Sequence, residues 1–148
     1  MTGATMQMAR IPLTRPQPAI HQLLLVEDEP GDVQMVREAI GMRPIRIHVA
    51  GALTSAFHFL ERLGEYANAA TPDLVLLDIR LPVFPGTILL QERRQRQLWA
   101  GVPVVVFTSS ELERQHCLEL GATDYIRKPA TWSGWQETIE SLIDRFLT

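Results

Sequence analysis

Five residues of this chain have the types needed for phosphoryl chemistry, and each closes an apolar run. Glu27 and Asp28 follow one run, Asp78 a second, Thr108 a third, and Lys128 a short fourth. Three carboxylates at close range do not all stay ionised unaided. A pair about 5 Å apart repels by roughly 3 kcal/mol at an effective dielectric of about 20. Either one carboxyl pKa rises or a divalent cation sits among them. A hard ion held by two carboxylates, a backbone carbonyl and waters is Mg²⁺-like. It would also neutralise an incoming phosphoryl group and allow the Asp78 carboxylate to attack phosphorus. The Thr108 hydroxyl and the Lys128 ammonium could then hold phosphoryl oxygens. These are the parts of an aspartyl phosphate site.

Read singly, each residue has a plainer account. An acid at a strand end is a common turn former. Glu27-Asp28 also suits the approach to a helix N-terminus, where negative charge is favourable. Thr108 could be an ordinary strand residue and Lys128 a surface charge. The case for chemistry rests on the elements bringing all five together.

Those elements follow from the hydrophobic pattern. Leu74 to Leu77, between Pro72-Asp73 and Asp78, has the length and composition of a strand buried on both faces. Gln22 to Val26, Ile45 to Val49, Val102 to Phe107 and the stretch from Asp124 to Lys128 supply four more strands. Between them lie helical patterns. The first carries Val33, Val36 and Ile40, with Pro30 in its first turn and Gly41 at its end. The second is marked by Phe57, Leu60 and Leu63. The third, which Thr87 can cap, runs to about Leu98 after a loop, Leu81 to Gly86, in which two prolines and a glycine forbid regular structure. Arg93, Arg94 and Arg96 on it read as a solvated face. Ser110-Glu111-Leu112-Glu113 is a capping-box pattern expected to start the fourth helix, which Gly121 ends. Trp135, Ile139, Leu142, Ile143 and Phe146 form the stripe of the fifth.

Five alternations of strand and helix predict an α/β fold with a doubly wound parallel sheet, flavodoxin-like (βα)5, in strand order 2-1-3-4-5. In that order strands one and three meet at the topological switch point. Glu27, Asp28 and Asp78 then converge at their C-terminal ends, and strands four and five deliver Thr108 and Lys128 to the same edge.

The 148 residues suffice for one core, with 46% hydrophobic and 21% charged residues. A net charge of −3 argues against general attraction to nucleic acid. No apolar run approaches the ~20 residues of a membrane span, and the start lacks the order of a secretory signal. Cys117 stands alone and the four histidines are scattered, so neither an internal disulfide nor a zinc cluster is expected. A reducing, cytoplasmic setting is the expectation. Residues 1–21, with Pro12, Pro16 and Pro18, read as a flexible arm in which Ile11, Leu13 and Ile20 could make weak contacts. Residues 22–148 form the expected domain.

With these pieces in view, the chain resembles the receiver domains of two-component response regulators, CheY-like in fold. The resemblance rests on Leu24-Leu25-Val26-Glu27-Asp28, on Pro72 through Asp78, on Val104 through Ser109, and on Gly121 through Pro129. It implies that Asp78 accepts a phosphoryl group from a sensor histidine kinase. It further implies that Glu27, Asp28, Asp78 and the backbone carbonyl of Arg80 hold Mg²⁺, and that Thr108 and Lys128 contact the phosphoryl group. In the family the threonine and an aromatic on strand five move together. Tyr125 occupies that place, so the face of the fourth helix, fifth strand and fifth helix is the expected switching face. Pro85 stands where the family often has an acid before the loop glycine, and Glu27 is a methylene longer than the frequent aspartate.

The opening Val26 to Asp32 looks most like the stand-alone receivers that partner bacterial phytochrome kinases. Such proteins often pair through the switching face. Trp132, Trp135 or Leu118 could supply the contact of a homodimer, or could equally be core. Three competitors remain at this point: a phosphate sink without output, a degenerate receiver acting only as a binding module, and a phosphatase of the haloacid-dehalogenase type. The last places its nucleophile on the first strand in an Asp-x-Asp arrangement, whereas here the residue two after Asp78 is Arg80. A receiver would assist its own phosphorylation and dephosphorylation but would not be an enzyme with a separate substrate. A DNA-binding regulator of the usual form would need residues for a second domain.

Overall fold

The computed structural model describes residues 19–97 and 99–148. Most of the expected arm, including Ile11 and Leu13, lies outside the described residues, as does Leu98. The strands are β1 (His21–Val26), β2 (Ile45–Ala50), β3 (Leu74–Leu77), β4 (Val104–Thr108) and β5 (Asp124–Arg127). The helices are α1 (Pro30–Ile40), α2 (Leu53–Glu61), α3 (Thr87–Arg96), α4 (Arg114–Glu119) and α5 (Trp132–Phe146). The sheet order is β2-β1-β3-β4-β5 and every pairing is parallel. The expected flavodoxin-like order is therefore the observed one. His21, placed at the end of the arm by the sequence, already pairs with Ile45 as the first residue of β1.

Alternation along the central strands divides the core into two layers. Leu24, Val26, Val75, Leu77, Val104 and Val106 face α2, α3 and α4, with Leu53, Phe59, Leu89, Leu90 and Cys117 packed on them. Leu23, Leu25, Leu74, Leu76, Val105 and Phe107 face α1 and α5, meeting Val36, Ile40, Trp135, Ile139 and Leu142. Both faces of β3 are covered, which is why its sequence is an unbroken apolar run.

Several local expectations are corrected. The buried stripe of α2 is Leu53, Ala56, Phe59 and Leu60. Phe57 is only partly buried, and Leu63 lies beyond the helix and is exposed. In the connection after α2, for which the sequence pattern suggests no task, Tyr66 of a 3-10 turn packs on Phe59 at a centroid distance of 5.4 Å. The third helix starts at Thr87 with no side-chain cap. The capping box at Ser110 does not form. Ser110 Oγ accepts instead from the Leu112 amide at 3.1 Å, a local turn that competes with the helix, and α4 begins only at Arg114. Arg93 and Arg94 are not merely solvated. Arg93 donates to the carbonyls of Val102 (2.8 Å) and Gly121 (3.1 Å), and Arg94 to that of Glu119 (2.5 Å). They tie α3 to the end of α4 and the entrance of β4.

Candidate functional site

The C-terminal ends of β1, β3, β4 and β5 open on one edge of the sheet. Glu27 and Asp28 leave β1, and Asp78 leaves β3 immediately after Leu77. Thr108 is the last residue of β4 and Lys128 the first after β5, where its own amide donates to the Thr108 carbonyl at 2.7 Å. The five side chains singled out by the sequence therefore share one crevice.

Asp78 is the hub. Its Oδ1 accepts from Thr108 Oγ1 at 3.0 Å and from the Arg80 amide at 2.9 Å. Its Oδ2 lies 2.9 Å from Lys128 Nζ. Thr108 is fully buried and Asp78 nearly so. Burial alone would raise the Asp78 pKa. The Arg80 amide, the Lys128 ammonium and the Thr108 hydroxyl more than offset that and hold it below the usual value, so the carboxylate is ionised at neutral pH. Arg80 itself turns its side chain to solvent.

Glu27 is in the opposite condition. Its Oε1 is 2.5 Å from Lys128 Nζ and its Oε2 accepts from the Glu29 amide at 3.1 Å. Burial nevertheless pushes its carboxyl up to about 7, with the Asp78 charge adding to the effect and Lys128 opposing it. Lys128 stays charged: burial works against the ammonium, but three carboxylates surround it and raise its pKa overall.

The same residues suit a divalent cation. One carboxylate oxygen from each of Glu27, Asp28 and Asp78 lies within 4.8 Å of the others. Around an octahedral Mg²⁺, ligand oxygens stand about 2.9 Å apart when adjacent and about 4.1 Å when opposed, given bonds of about 2.05 Å. Asp28 is exposed and open to water, while Glu27 is buried and shares the one Lys128 ammonium with Asp32 and Asp78. An all-oxygen, carboxylate-rich set of this kind favours a hard cation.

Sequence reasoning missed one member of the cluster. Asp32, in the first turn of α1, places Oδ2 2.7 Å from Lys128 Nζ. By type and position it looks like an acid complementing a helix dipole. The available signal was its place in the first turn of α1, four residues after Asp28. Gly86 also acquires a reason. A Cβ there would overlap the Asp78 carbonyl oxygen and stand 2.9 Å from Ile79 Cα, so only glycine lets the loop close beneath the acid.

Tyr125 is buried at 1% exposure, and its hydroxyl donates to the Ser110 carbonyl. The Arg114 guanidinium stacks 4.9 Å from its ring centroid and donates to its carbonyl at 2.7 Å. Trp135 is core: it is buried, meets Phe107 edge-on at 5.1 Å and donates to the Pro129 carbonyl. It is thereby removed from the candidate dimer contact, whereas Trp132 and Leu118 are exposed.

A parallel 2-1-3-4-5 sheet with a carboxylate, a hydroxyl and an ammonium meeting at its switch point defines a CheY-like α/β domain. The chain belongs to the response regulator receiver domain family, whose pattern it matches over residues 23–140. It is 37% identical over 93 residues to response regulator Rcp1 of Synechocystis sp., covering 62% of this chain and 63% of that protein. The chain thus spans less than two thirds of the curated relatives it matches first. Among solved structures it is similar to the phosphorylated cyanobacterial phytochrome response regulator RcpA. The TM-score is 0.81 at 31% identity, over 88% of this chain and 96% of that one. The Mn²⁺-bound form of Rcp1 aligns with a TM-score of 0.75 at 29% identity, over 84% and 92% of the respective chains. The likeness to phytochrome-associated receivers, read first from a few residues, extends over the fold. Asp78 follows β3, away from the first-strand position that a haloacid-dehalogenase-type nucleophile requires.

Proposed function

We propose that this protein is a phosphoacceptor in a two-component phosphorelay, taking a phosphoryl group on Asp78 from a sensor histidine kinase. The observation that carries this reading is the environment of Asp78. One ionised carboxylate is held at once by a hydroxyl from β4 and an ammonium from beyond β5, beside two further acids from β1. An Asp78 oxygen attacks phosphorus, the P–N bond to the donor histidine breaks, and its electron pair returns to the imidazole. Thr108 and Lys128 donate to the phosphoryl oxygens, and the Arg80 amide keeps the carboxylate oriented. Glu27, Asp28, Asp78 and the Arg80 carbonyl would hold Mg²⁺, which when bound would supply charge neutralisation for the transferred group. Hydrolysis of the acyl phosphate uses the same groups, so the protein assists its own turnover without a separate substrate and is not an enzyme in the usual sense.

The likeness to RcpA and Rcp1 supports a bacteriophytochrome kinase as the donor. A cytoplasmic location accords with a kinase donor, and no described helix is long and apolar enough to cross a membrane. Output falls to the face of α4, β5 and α5, where Trp132 and Leu118 offer apolar area to a second copy. Transfer of label from an autophosphorylated phytochrome-type histidine kinase tests the assignment. The parent should accept label within seconds to minutes. Failure to do so with any kinase of that type, while a small phosphodonor succeeds, would overturn the partner and leave the chemistry.

A further inference from the structure

Lys128 has three N–H donors and no acceptor, and all three are committed to carboxylates on three different elements. Glu27 lies at 2.5 Å, Asp32 at 2.7 Å and Asp78 at 2.9 Å. The side chain of Lys128 is only 9% exposed, so water does not compete freely for these donors. From this geometry we infer that Asp32 is a positioning residue for the phosphoryl reaction, acting through Lys128. The inference rests on the reading of Asp78 as the acceptor.

The reason is geometric. The three N–H bonds of an ammonium diverge tetrahedrally, so anchoring two of them fixes the direction of the third. Glu27 and Asp32 are the two anchors, and the third bond points at Asp78, where the phosphoryl group arrives. Of these anchors, Glu27 is also a candidate cation ligand, so its carboxylate serves two partners. Asp32 lies outside the cation cluster and is free to stay on Lys128 throughout. Its position is set by α1, whose first turn is fixed by Pro30 and by Glu29 accepting from the Gly31 amide at 3.2 Å. Lys128 is fixed from the other side by its main-chain bond to Thr108. Without Asp32 the ammonium has only Glu27 as a lateral anchor and swings about the axis joining Glu27 and Asp78.

The test compares two ligands that depend on different residues. Beryllofluoride, a phosphoryl mimic, reports on the Lys128 side of the crevice when titrated with Mg²⁺ present and followed by ¹⁹F NMR. Mg²⁺ alone reports on Glu27, Asp28 and Asp78. In Asp32→Ala, beryllofluoride affinity should fall about tenfold while Mg²⁺ affinity stays within about twofold. Asp32→Asn retains an acceptor oxygen at the same place and should recover most of the loss. In a Lys128→Ala background, Asp32→Ala should cost nothing further. Equal beryllofluoride affinity in Asp32→Ala and the parent would overturn the inference. So would an Asn variant as weak as the Ala variant, or an undiminished Asp32→Ala effect without Lys128. A parent protein that binds no beryllofluoride would refute the acceptor reading itself, a result distinct from all of these.

Discussion

Thr108 donates its hydroxyl to Asp78 Oδ1 at 3.0 Å across the β3–β4 boundary, and both side chains are buried. A hydrogen bond to a charged group is worth about 1.5–3 kcal/mol. If this bond is kept on phosphoryl oxygen in the transition state, Thr108→Ala should slow phosphorylation by about ten- to hundredfold. Thr108→Ser, which keeps the donor, should stay within a fewfold of the parent. Phosphorylation rates with a small phosphodonor check this directly.

Gly86 is in an ordinary helical conformation, so its role is proximity and not a positive φ. Gly86→Ala would force the loop off the Asp78 carbonyl and Ile79 Cα. Overpacking of this kind costs about 1–3 kcal/mol. The variant should unfold at lower denaturant concentration and phosphorylate more slowly than the parent, because the displaced backbone is that of Asp78 itself.

The strands and the five clustered side chains were legible in the sequence because each strand is a short apolar run and each of the five residues closes or follows one. Parallel topology then leaves little choice about which ends meet. Other features depend on contacts that no local pattern encodes. Arg93 reaches carbonyls 9 and 28 residues away. Long guanidinium stems make that possible without leaving a mark in periodicity. Ser110 has two competing local partners, and the i+2 amide wins over the capping box. Trp135 falls on the apolar stripe of α5, which suits a core residue and a surface contact equally until Phe107 and the Pro129 carbonyl are known to receive it. Asp32 belongs to the same class: its partner is 96 residues away.

The Glu27 carboxyl, pushed up to about 7 by burial, gives a pH dependence. Its pKa is raised in the folded state, so in metal-free protein its contribution to stability is present at low pH and lost as pH rises through about 7. Cation binding requires the ionised form. Apparent Mg²⁺ affinity should therefore weaken as pH falls below 7, by up to about tenfold per unit. The stabilisation by Mg²⁺ seen in thermal melts should be larger at pH 8 than at pH 6, and Glu27→Gln should flatten that difference.

Trp132 and Leu118 are each 39% exposed, on α5 and α4. If this face pairs two copies, Trp132→Ala and Leu118→Ala should each weaken self-association by about 1–2 kcal/mol. Trp135→Ala should instead destabilise the fold by about 3–5 kcal/mol, as loss of a buried aromatic does. Sedimentation velocity with and without beryllofluoride separates the two outcomes. A parent that stays monomeric under both conditions would remove the homodimer.

Intact mass after incubation with acetyl phosphate and Mg²⁺ reads the acceptor most directly. The parent should gain the mass of one phosphoryl group, and the gain should be absent from Asp78→Asn and from samples treated with a chelator. A parent that stays unmodified, or an Asp78→Asn variant that gains the same mass, would contradict the assignment of Asp78.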